Sequence, residues 1–143
     1  MEKGKLIDLF FVTLIIDGIL IYILLNEKLV EFDKGLIYLL LTVHVLYISG
    51  SLFEEDLLTN DLSHFSFIWS TYVCSLFITN KKLLILFIGV LICMQIFWLI
   101  DGNCPIGKML EHERIKEWLS NNETFMTILP NFIIIYLIVK LIS

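Results

Sequence analysis

Alanine is absent from this chain of 143 residues, arginine occurs once, at Arg114, and glutamine occurs once, at Gln95. Charged residues make up only 17% of the chain, against about 25% in average soluble domains. Lysine and arginine are too few and too scattered to neutralise a phosphate backbone, which excludes a nucleic-acid partner. Because alanine codons and most arginine codons are rich in G and C, the composition also indicates an AT-rich genome.

The familiar catalytic and metal-binding motifs are missing as well. The sequence contains no CxxC pair, no HExxH or GxSxG motif, no Walker A motif and no dinucleotide fingerprint. Its three cysteines have no zinc-site spacing. We therefore expect a protein that is not an enzyme and that holds neither a cofactor nor a metal ion.

What the chain does contain is long apolar runs. Hydrophobic residues make up 58% of the chain, with 27 leucines and 23 isoleucines. A bilayer requires about 20 mostly apolar residues for each spanning helix, and the runs do not alternate in polarity as barrel strands do. The predicted spans cover approximately residues 6–25, 35–53, 64–78, 83–100 and 125–142.

The predicted fold class is therefore all-α: a multi-pass transmembrane helical bundle that forms a single domain over residues 1–143. The third run is short and polar, so a bundle of four spans is the alternative to five. A short extramembrane helix is expected in the polar stretch before the last span. The chain is predicted to be an integral membrane protein, and its composition does not indicate which membrane it occupies.

Two polar side chains interrupt the first two spans near their middles, Asp17 and His44. If the connecting loop centres on Val30, Asp17 lies thirteen residues before that centre and His44 fourteen residues after it. Two antiparallel helices would then carry the two side chains at nearly the same depth. A hydrogen bond that joins the helices is the first interpretation, and a path for protons or ions is the second.

A small-residue stripe on the third run is the other candidate feature. Ser66, Ser70 and Cys74 recur every four residues, which places three small side chains on one face of a helix. Such a face allows another helix to approach closely. The spacing does not decide whether that helix belongs to this chain or to another subunit.

These observations predict a non-catalytic membrane protein. We expect a structural or accessory subunit of a larger assembly, such as an organellar energy-converting complex or a virion membrane, with lipid and other membrane subunits as partners. The alternative is a small oligomeric ion or proton channel, or a transporter, that uses Asp17 and His44.

Overall fold

The computed structural model describes residues 3–53, 66–67, 69–101 and 123–143. Within these ranges every regular element is helical, so the predicted all-α class is confirmed there. The short helix predicted before the last span lies outside the described residues, as do the first two residues of the predicted third span. The four long helices are α1 (Lys3–Asn26), α2 (Glu31–Phe53), α3 (Lys81–Asp101) and α4 (Glu123–Ile142).

Each long helix reaches a few residues beyond the apolar run that predicted it, because charged and polar residues continue the helix or cap it. At the start of α3, the Asn80 side chain accepts a hydrogen bond from the Leu83 backbone N–H at 3.1 Å. This satisfies one of the donors that a helix leaves open in its first turn. The first turn of α2 carries Glu31 and Asp33, where the helix dipole favours negative charge.

The third element is shorter than the predicted span of residues 64–78. It is α-helical at residues 66–67 and 69–72, turns at Val73 and continues as a 3₁₀ helix over Cys74–Phe77. Ile78 is extended, with ψ of 134°. The chain therefore leaves the helix before Ile78. This brings Thr79 and Asn80 into contact with Asp33 in the first turn of α2.

The helices pack as a bundle around one apolar core. α1 packs against α2 and also touches α3, while α4 packs against α3 and against the 3₁₀ helix. Core residues come from the four long helices and from the residues on either side of the 3₁₀ helix: Leu20, Ile23, Leu36, Ile37, Leu40, Tyr72, Ile78, Leu83, Leu84, Phe87, Leu91, Ile133 and Leu137.

One end of the bundle is held by a buried carboxylate. Asp33 is fully buried, and its side chain accepts hydrogen bonds from the Thr79 hydroxyl at 2.7 Å and from the Asn80 backbone N–H at 2.9 Å. The Thr79 backbone N–H lies 3.2 Å and 3.3 Å from its two oxygens. The start of α2 is thereby tied to the turn that precedes α3.

Two lysines add contacts at the same end. The Lys82 ammonium bonds the Glu27 carboxylate at 2.5 Å and lies 5.7 Å from the centre of the Tyr22 ring. The Lys140 ammonium donates to the Leu76 carbonyl at 2.7 Å, at the end of the 3₁₀ helix. The end of α1 therefore meets the start of α3, and the end of α4 meets the end of the third element.

Membrane crossing is a separate question from helix content. Among the described residues, no helix combines the length and the apolar character that would qualify it as a membrane span. The multi-pass arrangement is not confirmed and stays a prediction.

The Glu27–Lys82 pair is expected to make stability depend on pH. The hydrogen bond from Lys82 lowers the pKa of Glu27 below its ordinary 4.5, and the bond to Glu27 raises the pKa of Lys82 above its ordinary 10.5. A depressed carboxyl pKa stabilises the fold above the unfolded value, and that contribution disappears as the pH falls through the folded value. The raised pKa of Lys82 has the opposite dependence: its contribution to stability is present below the unfolded value and disappears as the pH rises through the folded value.

Glu27→Gln should therefore lower the melting temperature slightly near neutral pH, and the difference from wild type should vanish in acid well below pH 4.5. The effect is small because both side chains are partly exposed and salt screens them. Melting curves of both proteins at the two pH values, in low and high salt, provide the measurement. A difference that persists unchanged in acid would show that Glu27 stabilises the fold by some other means.

Candidate functional site

The structure brings Asp17 and His44 together. The Nδ1 atom of His44 lies 2.5 Å from the Oδ1 atom of Asp17, which makes a short hydrogen bond between α1 and α2. With the carboxylate ionised, the imidazole Nδ1–H is the donor and the carboxylate oxygen accepts. We refer to these two residues as the Asp17–His44 dyad.

The connection between α1 and α2 covers residues 27–30, so its centre lies before Val30. Helix geometry explains how the two side chains still meet. Asp17 lies nine residues before Asn26, where α1 ends, and His44 lies thirteen residues after Glu31, where α2 begins. The backbones are therefore offset by four residues, or about 6 Å along the helices. Side chains lean toward the N-terminus of their own helix. In antiparallel helices, Asp17 leans away from the loop and His44 toward it, which closes the gap.

The dyad is largely enclosed by apolar neighbours. The side chains of Asp17 and His44 are 16% and 8% exposed. The His44 ring lies 6.0 Å from the Phe67 ring of the third element. The dyad therefore sits where α1, α2 and the third element meet, away from the charged end of the bundle.

A small cavity of about 20 Å³ borders the His44 ring. That is about the room for one water-sized sphere. It is lined by Ile16, Leu20, Leu40, His44, Phe67, Thr71, Leu86, Phe87 and Val90. Thr71 is the polar neighbour, and its hydroxyl donates to the Phe67 carbonyl at 2.7 Å.

Chemically, the dyad shares one proton in a hydrogen bond that joins two helices. It cannot by itself hold a transition metal or an alkali or alkaline-earth ion, because such ions take four or more ligands in proteins. Among the described residues, no group of three or more His, Cys, Asp or Glu side chains comes together.

The small-residue stripe is split by the end of the helix. Ser70 is completely buried, so its partner surface lies within this chain. Ser66 and Cys74 are half-buried, and Cys74 belongs to the 3₁₀ helix rather than to the α-helical turn that carries Ser70. The Ser70 hydroxyl has no hydrogen-bond partner within the described part of the chain. Its small size, rather than its polarity, therefore suits the site.

Ser70→Leu should disrupt the bundle, because a larger side chain at this fully buried position forces the surrounding helices apart. We expect a loss of about 1–3 kcal/mol in the free energy of unfolding. The matched control is Trp69→Leu, at the residue immediately before Ser70, because the Trp69 side chain is 53% exposed. Unfolding in detergent, measured by circular dichroism, compares the two variants. Equal losses for both variants would argue against close packing at Ser70.

Asp33 is the polar residue that the sequence did not single out. In the sequence it stands in a short charged loop, and its partners Thr79 and Asn80 lie 46 and 47 residues further on. An acidic residue in the first turn of a helix is a recognisable signal. The partner turn depends on how the third element ends, which no local pattern indicates.

Comparisons with known protein families, with curated proteins and with solved structures find no match to this chain.

Proposed function

We propose that this chain is a non-catalytic, multi-pass membrane protein that serves as a structural or accessory subunit of a larger membrane assembly. The observation that carries the proposal is the apolar exterior of the bundle. Large hydrophobic side chains that are more than a third exposed occur on every long helix, among them Phe11, Ile15, Leu25, Tyr38, Val45, Ile85, Ile96, Phe132, Ile135, Val139 and Ile142. Exposed apolar area on this scale marks a surface that contacts lipid or another protein.

Several polar side chains are buried beside the apolar core, which supports the same proposal. Asp33, His44, Ser70, Thr71, Ser75 and Gln95 are all buried. A soluble bundle places polar residues outside and apolar residues inside. In lipid, polar side chains within helices face the interior of the bundle, where they find partners.

The sequence of α3 is also consistent with a lipid environment. No charged residue occurs between Lys82 and Asp101.

The accessory role is supported by the small number of polar groups near the centre of the bundle. Among the described residues, the polar groups deep between α1 and α2 are joined to each other in the dyad, and the cavity beside them is small and apolar. A bond that joins two helices is the common use of such groups in membrane bundles.

Extraction from membranes tests the first half of the proposal. After expression with an epitope tag, the protein should stay in the membrane pellet through an alkaline carbonate wash and be released by a mild detergent. A peripheral protein expressed in the same cells is the control for the wash. Release of the chain by carbonate alone would contradict membrane insertion.

Purification in mild detergent tests the second half. A subunit of a larger assembly should migrate on a native gel with other chains in fixed stoichiometry, which mass spectrometry of the excised band identifies. Migration alone, or as a ring of identical copies, would contradict the accessory role.

A second candidate, a proton or ion path, rests on the dyad. If the dyad conducts, wild type in liposomes should carry a flux of protons or cations, and Asp17→Asn should abolish it because an amide does not titrate. Thr42→Val is the control, because Thr42 lies on α2 close to His44 and its exposed hydroxyl bonds the Tyr38 carbonyl of its own helix. Absence of flux in wild type across protons and several cations would exclude this candidate.

A further inference from the structure

We infer that one end of the bundle binds the headgroups of anionic lipids. This end is formed by the connection between α1 and α2, the turn before α3 and the last turn of α4. We call it the lysine end, because it carries Lys28, Lys34, Lys81, Lys82 and Lys140. Such binding rests on the proposed membrane insertion and deepens it, since it names a lipid class and the end of the bundle that contacts it.

The lysine end is assembled by the fold. In the sequence its lysines stand in four separate places, and only Lys81 and Lys82 are neighbours. The ion pair between Lys82 and Glu27 brings the start of α3 to the end of α1. The bond from Lys140 to the Leu76 carbonyl brings the end of α4 to the turn that is tied to α2. Clusters of four to eight basic side chains beside a membrane helix are typical of sites for anionic lipids.

The lysine end is positive although the whole chain is negative. It holds five of the ten basic residues but only three of the fifteen acidic residues, which are Glu27, Glu31 and Asp33. Five positive against three negative charges leave a formal net charge of +2 there, whereas the whole chain carries −5. Charge complementarity therefore favours an anionic partner at this end.

Two of the five ammonium groups are available to a ligand. The other three are engaged within the chain and belong to Lys34, Lys82 and Lys140. Lys28 and Lys81 are exposed, and no hydrogen bond or ion pair engages either of them within the described part of the chain. They adjoin Glu27 and Lys82 in the sequence, so both stand beside the ion pair that joins α1 to α3. A lysine ammonium binds a phosphate group as a point charge.

Exposed tyrosines lie next to two of these lysines. The Lys82 ammonium is 5.7 Å from the centre of the Tyr22 ring, which is 55% exposed. The Lys140 ammonium is 5.9 Å from the centre of the Tyr136 ring, which is 48% exposed. Tyrosine is enriched where a bilayer core meets its headgroups, and lysine stems follow apolar surface while the ammonium reaches the polar layer. The lysine end therefore has the side chains that suit a headgroup layer.

Native mass spectrometry of the full-length protein in a non-ionic detergent tests the binding. The probes are phosphatidylglycerol and phosphatidylcholine with the same acyl chains, so that the headgroup alone differs. Titration gives a Kd for each lipid, and we expect phosphatidylglycerol to bind more tightly. Each lysine near an anionic surface strengthens binding about fivefold, so Lys28→Gln/Lys81→Gln should reduce the preference by about twentyfold. High salt should also reduce it.

The matched control is Lys3→Gln/Lys5→Gln, which makes the same change in net charge at the start of α1, at the opposite end of the bundle. It should leave the preference unchanged, and circular dichroism should show equal helix content in both double variants. Equal binding of the two lipids by wild type would overturn the inference, and so would equal losses in the two double variants. Displacement of the lipid by an equal concentration of inorganic phosphate would overturn it as well, because the site would then prefer a free anion. None of these results bears on membrane insertion, which carbonate extraction tests separately.

Discussion

Replacing Asp33 with alanine is expected to lower the free energy of unfolding by about 3 kcal/mol. The substitution removes a buried carboxylate that accepts hydrogen bonds from the Thr79 hydroxyl and from the backbone N–H groups of Thr79 and Asn80. Hydrogen bonds to charged groups contribute about 1.5–3 kcal/mol each, and their loss is not additive. The turn before α3 then loses its attachment to the start of α2.

The matched control for Asp33→Ala is Glu31→Ala, two residues earlier in the same helical turn. The Glu31 side chain is 89% exposed, and its partner, Lys34, lies on the same helix. Such a pair contributes little. Asp33→Asn should fall between the two variants, because an amide oxygen still accepts a hydrogen bond but carries no charge. Chemical denaturation in detergent ranks the variants, and equal losses for Asp33→Ala and Glu31→Ala would contradict the role of Asp33.

His44→Ala is expected to have the other large effect, also about 3 kcal/mol. Removing one member of a buried pair leaves the remaining charge without a partner, and truncation also enlarges the cavity beside the ring. Asp17→Asn keeps a hydrogen-bond acceptor next to the imidazole. It should therefore cost no more than about 1 kcal/mol, within the range measured for hydrogen bonds between membrane helices.

The double variant Asp17→Asn/His44→Ala completes a thermodynamic cycle. If the two residues stabilise the bundle through each other, the double variant should be no less stable than His44→Ala alone, because Asp17→Asn removes the charge that His44→Ala leaves without a partner. Additive losses from the two substitutions would show that each residue stabilises the fold independently, and would contradict the contact between them. Loss of helix by circular dichroism against denaturant is the measurement.

Much of the helical framework could be predicted from the sequence, because each long helix coincides with an apolar run. The predicted 83–100 corresponds to Lys81–Asp101, and the predicted 125–142 to Glu123–Ile142. Hydropathy marks the apolar part of a helix and not its capped ends, so the helices start a few residues early. Asn80 supplies such a cap in front of α3.

The third element shows where a local pattern is insufficient. Its apolar run extends through Ile78, yet the α-helix ends by Val73 because the following residues turn to reach Asp33. That bond joins positions 46 residues apart, and it depends on how the helices assemble. The same long-range packing buries Ser70, which the four-residue spacing indicated as a close contact without naming the partner.

The contact in the dyad could be predicted in part from the sequence. Equal depth in a hairpin indicates the contact of Asp17 with His44, although the connection between α1 and α2, residues 27–30, is centred before Val30. The direction in which side chains lean on antiparallel helices makes up the difference. The small cavity beside His44 could not be predicted, because it forms where side chains from four elements do not fill the space between them.

The most direct test of the central claim, that lipid covers the apolar exterior, uses the cysteine on α3. Cys93 is exposed in the isolated chain and lies twelve residues into the helix, about 18 Å from its start. With Cys74 and Cys104 replaced by serine, Cys93 in sealed or opened vesicles should resist a water-soluble maleimide that labels Lys28→Cys on the same background. After denaturation in detergent, Cys93 should react fully. Labelling of Cys93 in vesicles as fast as the cysteine at position 28 would mean that water, and not lipid, covers this face, and would contradict the proposed membrane bundle.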